Sequence, residues 1–136
     1  MSRYVIGVDG GGTTARAVVL TADGREVARA IEQGAVVTAR APSDAVESVR
    51  AVVLAAVEAA QVELPVAALW AGLAGAGREP ARAAVEAPLR AAGLAAELVV
   101  GTDLQAAVYS ALGVGPGIVL LSGTGSVAVG RSEAGL

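Results

Sequence analysis

The chain has 136 residues, which is enough for one ordinary domain and too few for a two-domain enzyme. Its net charge of −3 comes from interspersed Arg and acidic residues without a basic run, which excludes the usual nucleic-acid surface. Cys and His are absent, so the chain offers no disulfide, no zinc site of the usual ligand set and no catalytic group of the Ser-His-Asp or Cys-His type.

The N-terminus reaches a glycine run and an acid too early for a signal peptide. No uninterrupted apolar stretch approaches the roughly 20 residues that a membrane-spanning helix needs. We therefore expect a soluble cytoplasmic protein without a membrane partner.

Apolar runs and turn residues alternate along the chain in a way that predicts an α/β fold. An N-cap at Ser43 is expected to open the first helix, and Pro88 is expected to kink the second helix or to mark its end. The order is βββαβαβα followed by ββ. The predicted strands cover residues 4–8, 15–20, 25–33, 66–73, 97–100, 118–121 and 127–131, and the predicted helices cover residues 43–61, 78–92 and 103–112.

The turn between the first two strands, Asp-Gly-Gly-Gly-Thr-Thr at residues 9–14, is the strongest candidate for a ligand site. Consecutive glycines let backbone N–H groups converge on an anion, and two hydroxyls add donors, which suits a phosphate. Asp9, at the end of the strand, is suited to hold Mg²⁺, usually through water. The alternative is a plain hairpin with a capping Asp. A Rossmann or Walker loop is excluded, because a strand follows the turn and the chain has no Lys.

Two further positions carry groups that suit chemistry. Asp103 follows Gly101-Thr102 where a strand meets a helix, and it could accept a proton from a substrate hydroxyl. Taken alone, helix capping is the better interpretation of that Asp. Ser122-Gly123-Thr124-Gly125-Ser126 is a second glycine and hydroxyl turn between strands, and so a second possible phosphate clamp, although such turns are common.

These motifs, together with Leu73-Ala74-Gly75-Ala76-Gly77-Arg78, resemble in order and spacing the BadF/BadG/BcrA/BcrD ATPase family, which includes N-acetylglucosamine kinases. The resemblance implies a ribonuclease H-like, actin-type ATPase lobe with a mixed five-stranded sheet flanked by helices. Residues 1–114 would form this N-terminal lobe. Residues 115–136 would start a C-terminal lobe whose remainder is absent, so we expect an incomplete N-terminal part that is inactive alone.

The resemblance also implies an activity and its residues. The activity is ATP-dependent transfer of the γ-phosphoryl group to a sugar hydroxyl, with ATP and Mg²⁺ bound and with a homodimer in the complete protein. Asp103 would be the catalytic base and Asp9 the acid associated with Mg²⁺. The implied sugar contacts are Thr38, Asp103 and Ser126. The implied phosphate ligands are Gly10, Gly11, Gly12, Thr13 and Thr14 in the first loop and Gly123, Thr124 and Gly125 in the second.

Two departures and two alternatives bear on this hypothesis. Family kinases often carry an Asn after the third strand, where this chain has residues 35–40, and some carry another where Val127 stands. The sugar is therefore left open between N-acetylglucosamine and related amino sugars. One alternative is an ATPase that activates a 2-hydroxyacyl-CoA dehydratase or serves a benzoyl-CoA reductase. The other is a sugar-sensing module without catalysis.

Overall fold

A computed structural model describes residues 2–123 and 125–135 of the chain. The elements follow the predicted order, βββαβαβα and then ββ. They are β1 (Tyr4–Gly10), β2 (Thr14–Thr21), β3 (Glu26–Gln33), α1 (Pro42–Ala60), β4 (Val66–Leu73), α2 (Glu79–Ala91), β5 (Ala95–Thr102), α3 (Asp103–Leu112), β6 (Gly117–Ser122) and β7 (Ser126–Arg131).

The first five strands form one mixed sheet in the order β3-β2-β1-β4-β5. Strand β1 is central, and it pairs antiparallel with β2 and parallel with β4. Strand β5 continues the parallel half, while β3 continues the antiparallel half. Strands β6 and β7 form a separate antiparallel pair. The predicted mixed five-stranded sheet and the additional hairpin are therefore confirmed.

One face of the five-stranded sheet carries the hydrophobic core. Side chains alternate between the two faces of a strand. In β1, Ile6 and Val8 therefore lie on the buried face, and Asp9, the next residue, is exposed on the other face. Helices α1 and α2 pack on the buried face. The buried residues that the sheet contributes there include Ile6, Val8, Ala15, Ala17, Val19, Leu69, Ala71, Leu73, Leu98 and Val100.

The start of α1 differs from the prediction. The helix begins at Pro42, with Ala41 at the N-cap position and no side-chain cap, so the predicted N-cap at Ser43 is wrong. Proline fixes its own φ near the helical value. It also has no N–H, and at the first helical position an N–H would find no partner within the helix, so proline loses no hydrogen bond there. The end is as predicted, because Gln61 takes a left-handed conformation with φ 55°.

Helix α2 contains Pro88 and continues to Ala91, so Pro88 does not mark its end. A proline inside a helix removes the hydrogen bond to the carbonyl four residues earlier. Here the loss falls in the last turn, and the fully buried side chains of Val85 and Leu89 hold that turn against the core.

The chain divides into two compact units, residues 1–103 and residues 104–136. In the second unit, the Arg131 guanidinium donates to the carbonyls of Gly113 and Gly115, with Nη2 2.6 Å from the Gly113 oxygen and Nε 2.8 Å from the Gly115 oxygen. This side chain therefore ties β7 to the loop that precedes β6. Among the described residues, no helix is both long and apolar enough to cross a membrane.

We expect Leu69→Ala in the centre of β4 to lower the free energy of unfolding by about 2–5 kcal/mol, because it leaves a cavity in the core. Leu54→Ala on α1 is the matched control. Leu69 is 2% exposed and Leu54 is 46% exposed, so the control should change stability by no more than about 0.5 kcal/mol. Urea unfolding followed by circular dichroism measures both, and equal losses would contradict the assigned core.

Candidate functional site

The carboxyl ends of the three parallel strands β1, β4 and β5 lie at one edge of the sheet. Gly10 is aligned with Leu73, and Leu73 is aligned with Thr102. Neighbouring strands are about 4.8 Å apart, so the ends of β1 and β5 are about 10 Å apart. The turn after β1 and Asp103 after β5 therefore leave the sheet at the same edge, where ligands of α/β sheets usually bind.

The predicted phosphate turn is a tight β1–β2 connection. The Gly11 N–H donates to the Thr14 carbonyl at 2.9 Å, so it is engaged within the turn. Gly12 and Thr13 are exposed at the tip, and no acceptor in the described part of the chain is bonded to their N–H groups. The anion donors that this turn can offer are therefore these two amides and the threonine hydroxyls.

Asp9 lies on the sheet face opposite α1 and α2. Its side chain is about half exposed, and its Oδ2 lies 4.0 Å from Nη1 of Arg16, its cross-strand partner in β2. The described residues contain no group of three or more acids that could enclose a metal ion. A single exposed carboxylate nevertheless fits Mg²⁺, which keeps several of its waters and needs only one or two protein oxygens beside substrate phosphates.

The segment between β3 and α1 runs across the ends of β1 and β4 and is fixed there by backbone hydrogen bonds. The Ala35 N–H donates to the Gly11 carbonyl at 3.0 Å, and the Val37 N–H donates to the Ala74 carbonyl at 2.8 Å. The Ala74 N–H in turn donates to the Gly10 carbonyl at 2.8 Å. Three connections of the sheet edge are thus joined through their main chains.

Glycines make this close approach possible. A Cβ atom on Gly34 would lie 2.5 Å from the Gly12 carbonyl oxygen, and a Cβ on Gly10 would lie 2.5 Å from Leu73 Cδ2. Gly75 has φ +84°, and a Cβ there would overlap the Val37 carbonyl oxygen. The importance of Gly34 and Gly75 was missed at the sequence level. Only their positions, directly after β3 and shortly after β4, could have suggested it.

Thr38 is exposed in the segment between β3 and α1, and its hydroxyl has a local role. Its Oγ1 accepts a hydrogen bond from the Ala41 N–H at 3.2 Å, which shapes the chain just ahead of Pro42. The same hydroxyl keeps its own proton for donation. Thr38 therefore lies three residues before Ala41, the N-cap position of α1, on the segment that crosses the end of β1.

Asp103 is exposed and is the first residue of α3, directly after the last residue of β5. This is the strand-to-helix junction that the sequence predicts. The Asp103 side chain is not buried by the sheet, and it lies at the same edge as the turn after β1.

The second predicted loop lies in the second unit, between β6 and β7. Ser122 is paired with Ser126, and their Oγ atoms are 3.5 Å apart. The Gly123 N–H donates to the Gly125 carbonyl at 2.8 Å, so the tip is a tight turn with exposed glycines and an exposed Ser126. Thr124, the predicted centre of this loop, lies outside the described residues.

Residues 6–135 match the family model of the BadF/BadG/BcrA/BcrD ATPase family. The N-acetylmuramic acid/N-acetylglucosamine kinase of Clostridium acetobutylicum is 25% identical over 134 residues, which cover 98% of this chain and 44% of that protein.

Two solved structures are similar over nearly the whole chain. One is a protein of Chromobacterium violaceum assigned as an N-acetylglucosamine kinase, with a TM-score of 0.85, 28% identity and coverage of 99% of this chain and 47% of the other. The other is a ROK family glucokinase of Streptomyces griseus in complex with glucose and AMPPNP, with a TM-score of 0.62, 26% identity and coverage of 92% and 43%. The predicted actin-type fold is confirmed, and the chain spans about half the length of these relatives.

We expect Gly75→Ala to destabilise the protein more strongly than Gly24→Ala. Both glycines have similar positive φ angles, +84° and +88°, but a Cβ on Gly24 would meet nothing within 4 Å. The Gly24 variant should lose about 1–2 kcal/mol from the backbone conformation alone. The Gly75 variant should lose a further 1–3 kcal/mol, roughly, from the overlap with the Val37 carbonyl.

The difference between the two variants isolates the contact between the loop after β4 and the segment before α1. Urea unfolding measures it directly. Equal losses in the two variants would show that this contact does not constrain the sheet edge.

Proposed function

The chain belongs to the BadF/BadG/BcrA/BcrD ATPase family, and on this basis we propose that it forms the phosphate-binding part of an ATP-dependent sugar kinase. The observation that carries the proposal is the alignment of Gly10, Leu73 and Thr102 at one sheet edge. It brings a turn with free amide donors and an exposed carboxylate to the same side of the sheet. A phosphoryl transfer needs both, one for the phosphates and one for the accepting hydroxyl.

We assign the roles along that edge as follows. The amides of Gly12 and Thr13 and the hydroxyls of Thr13 and Thr14 hold phosphate oxygens. Asp103 accepts the proton of the sugar hydroxyl while the hydroxyl oxygen attacks the γ-phosphorus in line with the leaving ADP oxygen. The transfer is direct, so the products are ADP and a sugar phosphate, and no residue becomes phosphorylated.

Asp9 would hold Mg²⁺ through its exposed oxygen, directly or through water. The bound ion would supply positive charge at the phosphates, which is the ordinary contribution of Mg²⁺ to this chemistry. Arg16 lies beside the same carboxylate. Its positive charge, on β2, lowers the net negative charge that an approaching triphosphate meets.

The proposed acceptor is N-acetylglucosamine or a related amino sugar. Support comes from the names of the Clostridium acetobutylicum and Chromobacterium violaceum relatives. Thr38 is the proposed contact on the segment before α1, where its hydroxyl proton remains available. Ser126 is the proposed contact on the β6–β7 hairpin, and Gly123, Thr124 and Gly125 are the proposed second phosphate loop. In this proposal residues 1–114 form one lobe and residues 115–136 begin another.

We expect Asp103→Asn to lower kcat by a factor of about 10²–10⁴ without weakening sugar binding, because the amide binds a hydroxyl but cannot accept its proton. The assay is ADP release with N-acetylglucosamine. It uses this chain fused at its end to the half of the Chromobacterium violaceum protein that this chain does not cover. Sugar affinity is measured separately by calorimetry.

The matched control for Asp103 is Asp23→Asn. Asp23 lies in the β2–β3 turn next to Thr21, and Thr21 pairs with Tyr4 at the opposite end of β1. Turnover should be unchanged in this variant. Full turnover by the Asp103→Asn protein would contradict the assignment of Asp103 as the base. It would not bear on the proposed phosphate site.

We expect Mg²⁺ and ATP to shift the amide resonances of Gly12 and Thr13 in the 136-residue chain. Asp9→Asn should raise the Mg²⁺ concentration needed for half of this shift by about tenfold, because it removes the carboxylate charge. Asp44→Asn in the first turn of α1 is the control and should leave the Mg²⁺ dependence unchanged. Shifts confined to other parts of the chain would contradict the phosphate site.

A further inference from the structure

Strand β5, which leads into Asp103, is an edge strand. Among the described strands it pairs with β4 alone, and its other side faces away from the sheet. An edge strand leaves a row of backbone N–H and C=O groups without sheet partners, and its position is therefore less constrained than that of a central strand. The strand that carries the proposed base thus needs a second restraint on its outer side.

Glu86 on α2 supplies a restraint on this outer side. Its Oε2 accepts a hydrogen bond from the Val100 N–H at 3.2 Å. The other carboxylate oxygen, Oε1, accepts from Nε and Nη2 of Arg90 at 3.1 and 2.7 Å. One oxygen therefore binds the edge strand while the other is held by a guanidinium one helical turn away. These charge-assisted hydrogen bonds fix the orientation of the carboxylate.

The helix that carries Glu86 is itself anchored. Val85 and Leu89, which lie on either side of Glu86 along the helix, are fully buried in the core. The Glu86 side chain is only 26% exposed. The hydrogen bond to Val100 therefore connects a rigid helix to the edge strand instead of joining two mobile surface groups.

The electrostatic surroundings favour the ionised form of Glu86. The hydrogen bond from Arg90 lowers the pKa of the Glu86 carboxyl, and the Val100 N–H and the charge of Arg82 lower it further. Arg82 also pairs with Glu79 on the same helix. At neutral pH the carboxylate is charged and able to accept from both donors.

We propose that Glu86 is a positioning residue for Asp103. It holds the outer edge of β5, and the end of this strand in turn fixes the position of the Asp103 carboxylate. The proposal rests on the proposed function of Asp103. Val100 lies three residues before Asp103, a distance of about 10 Å along a strand. Between them, Thr102 is aligned with Leu73 on the inner side. With Glu86 in place, the last residues of β5 are held from both sides.

The first test uses amide hydrogen exchange in the 136-residue chain. Glu86→Ala should raise the exchange rate at Val100 about tenfold, the effect of losing one hydrogen bond to a charged group. The resonances of Thr102 and Asp103 should shift in the same variant. Glu86→Gln should keep protection at Val100 within about threefold of the original, because the amide oxygen still accepts from Val100.

Glu79→Ala is the matched control. Glu79 lies on the same helix and also pairs with an arginine three residues away, Arg82, but within the described part of the chain no hydrogen bond joins it to β5. This variant should leave the exchange rate at Val100 unchanged. Equal increases in the Glu79→Ala and Glu86→Ala proteins would overturn the proposal, as would a change at Val100 without any shift at Thr102 and Asp103.

The second test measures turnover in the fusion protein described above. Glu86→Ala should lower kcat about tenfold with the KM for ATP unchanged, since a displaced base affects the chemical step and not the phosphate turn. Glu86→Gln should restore kcat to within about twofold. Unchanged kcat in Glu86→Ala would overturn the positioning role. A loss of turnover in Glu86→Ala while Asp103→Asn remains fully active would instead contradict the proposed function of Asp103.

Discussion

The carboxyl edge of the sheet depends on main-chain contacts that leave no space for side chains. Ala35, Val37 and Ala74 each donate a backbone hydrogen bond across the ends of β1 and β4. A buried backbone group without a partner would be destabilising, so the three connections must keep these distances together. Gly34 and Gly75 are needed because any Cβ there would meet a carbonyl oxygen. The rest of the site is built on this arrangement.

The two halves of the proposed site are constrained in different ways. The phosphate turn and the segment that carries Thr38 share hydrogen bonds, so a displacement of one must move the other. Asp103 lies beyond β4, at the end of an edge strand that these bonds do not reach. A side chain, Glu86, reaches that strand instead. Backbone contacts therefore hold the proposed phosphate turn, whereas a single charged side chain holds the strand that precedes the proposed base.

The sequence predicts most of the fold because its signals are local. Strand β4 and helix α3 have the predicted bounds, since a run of apolar residues and a strand-to-helix junction are visible without tertiary information. The start of α1 was wrong, because Pro42 opens the helix without the capping side chain that Ser43 suggested. The contacts of Gly34, Gly75 and Glu86 could not be predicted. Each joins segments far apart in sequence, and only the strand order shows that they meet.

The charges at the sheet edge explain why the proposed chemistry needs a cation. Asp9 and Asp103 are both exposed at the edge of the proposed site, and their negative charges would repel a triphosphate. Arg16 offsets only one of them, at 4.0 Å and in contact with solvent, where an ion pair contributes little. The Gly11 amide is already engaged with Thr14, which leaves few donors in the first turn. The proposed site therefore depends on a divalent ion at Asp9 for most of the positive charge that the phosphates need.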